Sequence, residues 1–154
     1  MPDTADRPPQ SGVGHLGLSV TDLDRSIGFY CDVLGAILVQ PPFPGFSPAF
    51  SGRQAIVMLG SMGVDLYEHD RNEGEEFDPA RTGLDHVAFV ASSLAELGSW
   101  AAWLDNQGVA RSELRDASGF GTMFDFVDPD GIQLEVFFFD QATAASTSMS
   151  SPAA

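Results

Sequence analysis

The chain has almost no cysteine, little positive charge and no long apolar run, and each shortage removes a class of protein. Cys31 is the only thiol in 154 residues, so no internal disulfide forms. Lys and Arg together number 7 against 22 Asp and Glu, a formal net charge of -15. Such a field repels the phosphates of nucleic acids and anionic membrane surfaces, and neither is an expected partner. It also disfavours strongly anionic substrates unless a metal or a local Arg cluster reverses it. No uninterrupted apolar stretch approaches the roughly 20 residues that span a bilayer. No basic segment precedes an apolar run near the N-terminus, so the expectation is a cytoplasmic protein that handles a small molecule.

What is present points to a folded core. Apolar residues make up 44% of the chain, with 12 Phe and 2 Trp, enough for one well-filled domain or two small modules packed as one unit. Residues 1–12 are rich in Pro, Asp and Ser, and residues 141–154 in Ala, Ser and Thr; both are expected to be flexible tails. The domain is expected over residues 13–140. It holds two segments of the same grammar, about 13–69 and 84–140, whose starts lie 71 residues apart.

Each segment opens on a histidine and an alternating run. Leu16, Leu18 and Val20 fall on one face of the first strand, with His15, Gly17 and Ser19 on the other. In the second, Val87 and Phe89 oppose His86, Ala88 and Val90. A helix follows in both cases. Thr21 or Asp22 starts the first and Ser92 or Ser93 the second, where Ser93 and Glu96 fit a capping box. Leu23, Ile27, Tyr30 and Leu34, then Leu97, Trp100 and Leu104, recur at helical spacing, and Gly35 and Gly108 supply the stops. Short strands complete each segment: 54–59 and 64–69 in the first, 121–127 and 132–139 around the turn Asp128-Pro129-Asp130-Gly131 in the second. The pattern is β-α-β-β-β, twice.

A duplicated module of this kind is expected to pack its helices on the convex side of a strongly curved sheet. Leu134, Val136 and Phe138 oppose Gln133, Glu135 and Phe137, so His15, His86 and Glu135 are expected to share the hollow. Imidazole nitrogen and carboxylate oxygen are the ligands that zinc, nickel, manganese or iron accept at neutral pH.

The runs Val13-Gly14-His15-Leu16, Gly83-Leu84-Asp85-His86-Val87-Ala88-Phe89 and Asp128-Pro129-Asp130-Gly131-Ile132-Gln133-Leu134-Glu135 resemble the vicinal oxygen chelate superfamily. That superfamily includes glyoxalase I, bleomycin-resistance-like proteins, methylmalonyl-CoA epimerases and extradiol dioxygenases. The resemblance implies an α+β fold of paired glyoxalase-like βαβββ modules forming a curved sheet around a metal-binding cavity with one divalent ion (Zn, Ni, Mn or Fe). It implies His15, Glu68, His86 and Glu135 as the ligands. Glu68 departs from its strand pattern, because Val64 and Leu66 share its parity while Asp65, Tyr67 and His69 take the other. Either a bulge or loop start turns it inward, or His69 or Tyr67 enters instead. Without Glu68, a two-His-one-carboxylate triad remains, which also suits non-haem iron.

The resemblance implies a lyase or isomerase that abstracts a proton through a metal-stabilised enediolate or enolate, with Glu135 or Glu68 as the base. The alternatives are a non-haem iron dioxygenase and a small-molecule-binding resistance protein without catalysis. Pro41 to Phe50 places Phe43, Phe46 and Phe50 among prolines, either as a lid over an apolar substrate or as a loop packed on its own module. Arg53 is placed to meet a substrate carboxylate or a surface acid, and Phe120 and Met123 line the second module's pocket or its core. Paired modules expose elements suited to a homodimer.

Overall fold

The computed structural model describes residues 12–45 and 51–140; residues 1–11 and 141–154, and with them Phe46 and Phe50 of the proline-rich loop, lie outside the described residues. The described residues divide into two compact units, the first ending at Asn72 and the second beginning at Glu73. The first contains β1 (His15–Ser19), α1 (Leu23–Gly28) continued by a π-helical turn (Phe29–Val33), β2 (Ile37–Pro44), β3 (Gly52–Leu59) and β4 (Met62–His69). The second contains β5 (Val87–Val90), α2 (Leu94–Asn106), β6 (Arg115–Asp116), β7 (Gly121–Val127) and β8 (Gln133–Phe139). The strand orders are β1-β4-β3-β2 and β5-β8-β7-β6. In both, the first and last strands of the module pair in parallel and the remaining ladders are antiparallel.

Capping sets the start of each helix. Asp22 accepts from the backbone N–H of Arg25 at 3.0 Å, and Ser93 accepts from that of Glu96 at 3.1 Å. Glu96 reaches back one residue further than the simple capping box requires, accepting from the N–H of Ser92 at 2.7 Å. The first helix does not run regularly to Gly35. Its buried positions Ser26, Tyr30 and Leu34 recur every fourth residue, wider than the 3.6 of an α-helix, and the π turn absorbs the difference. Gly35 and Gly108 then turn the chain with the same φ of 72°.

Each sheet is two-faced. In the first unit, Leu18, Ala55, Val57, Val64 and Leu66 are buried on the face against α1, together with Leu23 and Tyr30. In the second, Phe124, Phe126, Leu134 and Val136 are buried on the face against α2, together with Leu97 and Leu104. Arg111 ties α2 to this layer: it donates to the Ala101 carbonyl at 3.2 Å, pairs with Asp105 at 2.7 Å and lies 5.6 Å from the Phe124 ring centre. The β7–β8 hairpin is organised by buried Asp128, whose Oδ1 accepts from the N–H groups of Asp130 and Ile132, both at 2.9 Å.

The expectation of a curved sheet around a cavity does not hold. The strands form two separate four-stranded sheets, and neither closes on itself, since β1 and β2 are the edges of one and β5 and β6 of the other. The reason lies in the outermost strands. β6 carries a ladder only at Arg115 and Asp116, and β2 loses register between Leu38 and Gln40 and again between Gln40 and Phe43. A short or bulged outer strand offers no continuous edge along which a sheet can curl and close.

One close approach is repeated in both units. A Cβ built on Gly52 would lie 2.0 Å from the Glu68 carbonyl oxygen, and one on Gly121 would lie 1.9 Å from that of Phe138. Gly52 also has φ of +144°. The start of β3 therefore passes against β4, and that of β7 against β8, closer than any side chain permits. Gly52→Ala and Gly121→Ala are each expected to destabilise by about 2 kcal/mol or more, read by urea denaturation. Gly98→Ala, in α2 with nothing near its Cβ, is expected to stabilise by about 0.5–1 kcal/mol.

Candidate functional site

The face of each sheet turned away from its helix carries the polar residues, and strand register decides which of them stand together. In the first unit, β1 and β4 pair His15 with Gly63, Gly17 with Asp65 and Ser19 with Tyr67. His15, Asp65, Tyr67 and His69 therefore share this face. Glycines leave room for them: a Cβ on Gly63 would sit 3.3 Å from the His15 Cβ, and one on Gly17 would meet the Tyr67 ring at 3.4 Å. His15 Nε2 lies 3.9 Å from Asp65 Oδ2, with 67% of the His15 side chain exposed against 18% for Asp65. The Tyr67 hydroxyl donates to the same Asp65 oxygen at 3.4 Å, and its pKa is raised by burial first and by the Asp65 charge second.

Glu68 stands on the opposite face. Its register partner is Arg53, which it meets at 2.6 Å, and it also accepts from the Leu23 N–H at the start of α1 at 3.2 Å. Arg53 bridges further to Asp24 at 3.2 Å. Glu68 and Arg53 thus hold the first turn of α1 against the end of β4, and β4 pairs without a bulge that would turn Glu68 round. Arg53 is engaged by two carboxylates, so the structure places it in this clamp and away from the His15 face.

The second unit repeats the first. Ala88 pairs with Glu135 across β5 and β8, as Gly17 pairs with Asp65, and His86 precedes Ala88 by two residues as His15 precedes Gly17. Register therefore makes Asp65, not Glu68, the counterpart of Glu135. His86 Nδ1 lies 2.6 Å from Asp85 Oδ1, a contact that orients the ring. Glu135 is 5% exposed, and its carboxylate makes no side-chain hydrogen bond among the described residues. Burial is the largest cause of its raised pKa, His86 opposes the rise, Asp125 adds to it and Arg115 opposes it. Asp125 stands opposite Glu135 on β7 and is ion-paired to Arg115.

Of the remaining expected residues, Phe43 is half-buried on β2 opposite Gln54. Met123 is on β7 and shares the Glu135 face, whereas Phe120 is 52% exposed in the turn before β7. Sequence reasoning missed Asp65. The signal was present, because Asp65 has the polar parity of its strand and falls 70 residues before Glu135, almost the offset of the two histidines. Among the described residues no three His, Cys, Asp or Glu side chains form a metal-holding group; the structure shows two His–carboxylate faces, one in each unit. No helix among the described residues is long and apolar enough to cross a membrane.

Two open sheets of βαβββ topology, each with a His–carboxylate face, define a class, and residues 12–136 match the Glyoxalase/Bleomycin resistance protein/Dioxygenase superfamily. The chain belongs to that superfamily. Metallothiol transferase FosB of Staphylococcus saprophyticus is 31% identical over 80% of this chain and 74% of its own length. The lactoylglutathione lyase of Haemophilus influenzae is 32% identical over 79% of this chain and 87% of its own. Among solved structures, a glyoxylase/bleomycin resistance protein/dioxygenase domain from Frankia sp. EAN1pec superposes with a TM-score of 0.76 at 30% identity, over 86% of this chain and 100% of the other. The two curated relatives are enzymes, and this chain is an enzyme of the same superfamily.

Burial that raises the Glu135 pKa above its unfolded value of about 4.3 has a signed consequence for stability. The contribution is fully present below the unfolded pKa and is lost as pH rises through the folded one. In chelator-treated protein, Glu135→Gln is therefore expected to melt a few degrees above the unsubstituted chain at about pH 8, with the gap narrowing towards about pH 5. Differential scanning fluorimetry reads it, and a lower melting temperature for the variant at the higher pH would contradict the assignment.

Proposed function

We propose that the chain is a divalent-metal-dependent lyase or isomerase of glyoxalase or epimerase type acting on a small oxygenated substrate. The observation that carries this is Glu135: a carboxylate only 5% exposed, with no side-chain hydrogen bond among the described residues, on the face that bears His86. A buried carboxylate left unpaired costs stability, and a cation is the partner that relieves it. Each unit is read by itself: the proposed donors are His15 and Asp65 within the first unit, and His86 and Glu135 within the second. Imidazoles and carboxylates fit zinc, nickel, manganese or iron by ligand type. The name metallothiol transferase, carried by a relative, supports metal use.

When bound, a divalent ion supplies polarisation of substrate oxygens and neutralises charge that develops on them. The rest falls to side chains. Glu135 takes a proton from a carbon beside the substrate carbonyl and returns it to carbon. Asp85 orients the His86 ring, and the Tyr67 hydroxyl holds Asp65. Glu68 and Arg53 act through stability alone, by fixing the start of α1.

Metal analysis of protein purified without chelators is expected to find bound divalent metal. His86→Ala and Asp65→Ala are each expected to weaken retention at least about tenfold, while Glu68→Gln keeps the metal and loses about 1–2 kcal/mol of stability. Lyase turnover of lactoylglutathione is the first activity to assay, given the lyase relatives, and Glu135→Gln is expected to abolish any turnover found. Protein that never retains stoichiometric metal would sink the reading, and loss of metal in Glu68→Gln but not in Asp65→Ala would overturn the donor assignment. Retained iron with substrate-dependent oxygen uptake would select oxygenase chemistry instead.

A further inference from the structure

Gln54 is the most anomalous side chain in the first unit. It is 2% exposed, yet neither its Oε1 nor its Nε2 has a hydrogen-bond partner. An amide buried with both ends unpaired costs about 1–3 kcal/mol per group, and native proteins rarely carry one without a reason. Its position supplies a reason. Gln54 lies on β3 directly across from Tyr67 on β4 and from Phe43 on β2, on the face that holds His15 and Asp65 and away from the clamp made by Arg53 and Glu68. Two aromatic side chains thus flank a neutral amide, next to a tyrosine whose hydroxyl is bonded to Asp65.

We infer that Gln54 is the specificity residue of this face and recognises a planar, uncharged group that donates and accepts side by side, such as a carboxamide, lactam or imide next to a flat ring. Calling that ligand a substrate rests on the function proposed above. The chemistry follows from the two unpaired ends. A carboxylate would satisfy Nε2 and leave Oε1 facing an anion, and an ammonium would do the reverse. Only a group with both functions on one edge pairs with the whole amide. The net charge of -15 also weighs against an anionic ligand, whereas flanking aromatics favour a flat one.

Benzamide is the smallest probe of this class, with benzoate as its charged isostere. Titration followed by backbone amide NMR is expected to show benzamide shifting resonances at Gln54 and Tyr67 in the unsubstituted protein, and benzoate failing to do so. Gln54→Leu, which keeps the volume and removes both polar ends, is expected to bind benzamide at least about tenfold more weakly, since both hydrogen bonds to the amide are lost, and to melt no lower than the parent. Gln54→Met repeats the measurement should the leucine variant misfold. Equal benzamide affinity in parent and variant, shifts that map elsewhere, or no binding by the parent would each overturn the inference and leave Gln54 as the host of a buried water. Metal content measured on the same samples separates the two proposals. Discrimination by a protein that holds no metal keeps this inference and removes the enzymatic one, and metal retention without discrimination does the opposite.

Discussion

The parallel pairing of the first and last strands of each module is the constraint on which the rest depends. Pairing β1 with β4, and β5 with β8, sets which residues stand side by side. Because side chains alternate with a period of two, it also sets which face each one occupies. A slip of one residue in β4 would carry Val64 and Leu66 to the polar face and bury Asp65 against α1. The apolar set Leu18, Val64 and Leu66 against α1, and Leu134 and Val136 against α2, holds the register through burial. The polar face inherits its arrangement from the core behind it.

That inheritance explains why some polar groups tolerate such poor surroundings. Glu135 and Gln54 are both buried, Gln54 with neither end of its amide hydrogen-bonded, and an apolar residue of similar size would be more stable at either place. Both lie on faces turned away from the helices, where packing does not need them. The clamp of Glu68, Arg53 and Asp24 shows the contrasting case. Its charges are satisfied by one another and by a helix N-terminus, it lies at the rim of the apolar face, and its role ends with the placement of α1.

Legibility in the sequence followed the strength of local periodicity. The repeat, the two histidines and the parity of Glu135 were all readable, because β-alternation and a 71-residue offset are properties of the chain itself. Alternation also placed Glu68 on the apolar parity of Val64 and Leu66, and β4 keeps it there. Asp65 was overlooked since a strand's parity gives a face but not a neighbour; pairing across β1 and β4 supplies that. The proline-rich segment shows another limit. Phe43 joins β2 beside Gln54 through two register shifts, and irregular pairing of that kind leaves no periodic trace.

The amino-acid sequence by itself determined the duplicated βαβββ order, the helix starts to within a residue, at Thr21 or Asp22 and at Ser92 or Ser93, the turn at Asp128 and the polar character of one face of each central strand, because each rests on the chemistry of neighbouring residues. Tertiary structure alone decided that the sheets stay open, that Asp65 rather than Glu68 matches Glu135, and that Gln54 is buried without a partner. Those outcomes depend on register, on the length and bulging of outer strands, and on burial, which arise only when segments distant in the chain are laid side by side.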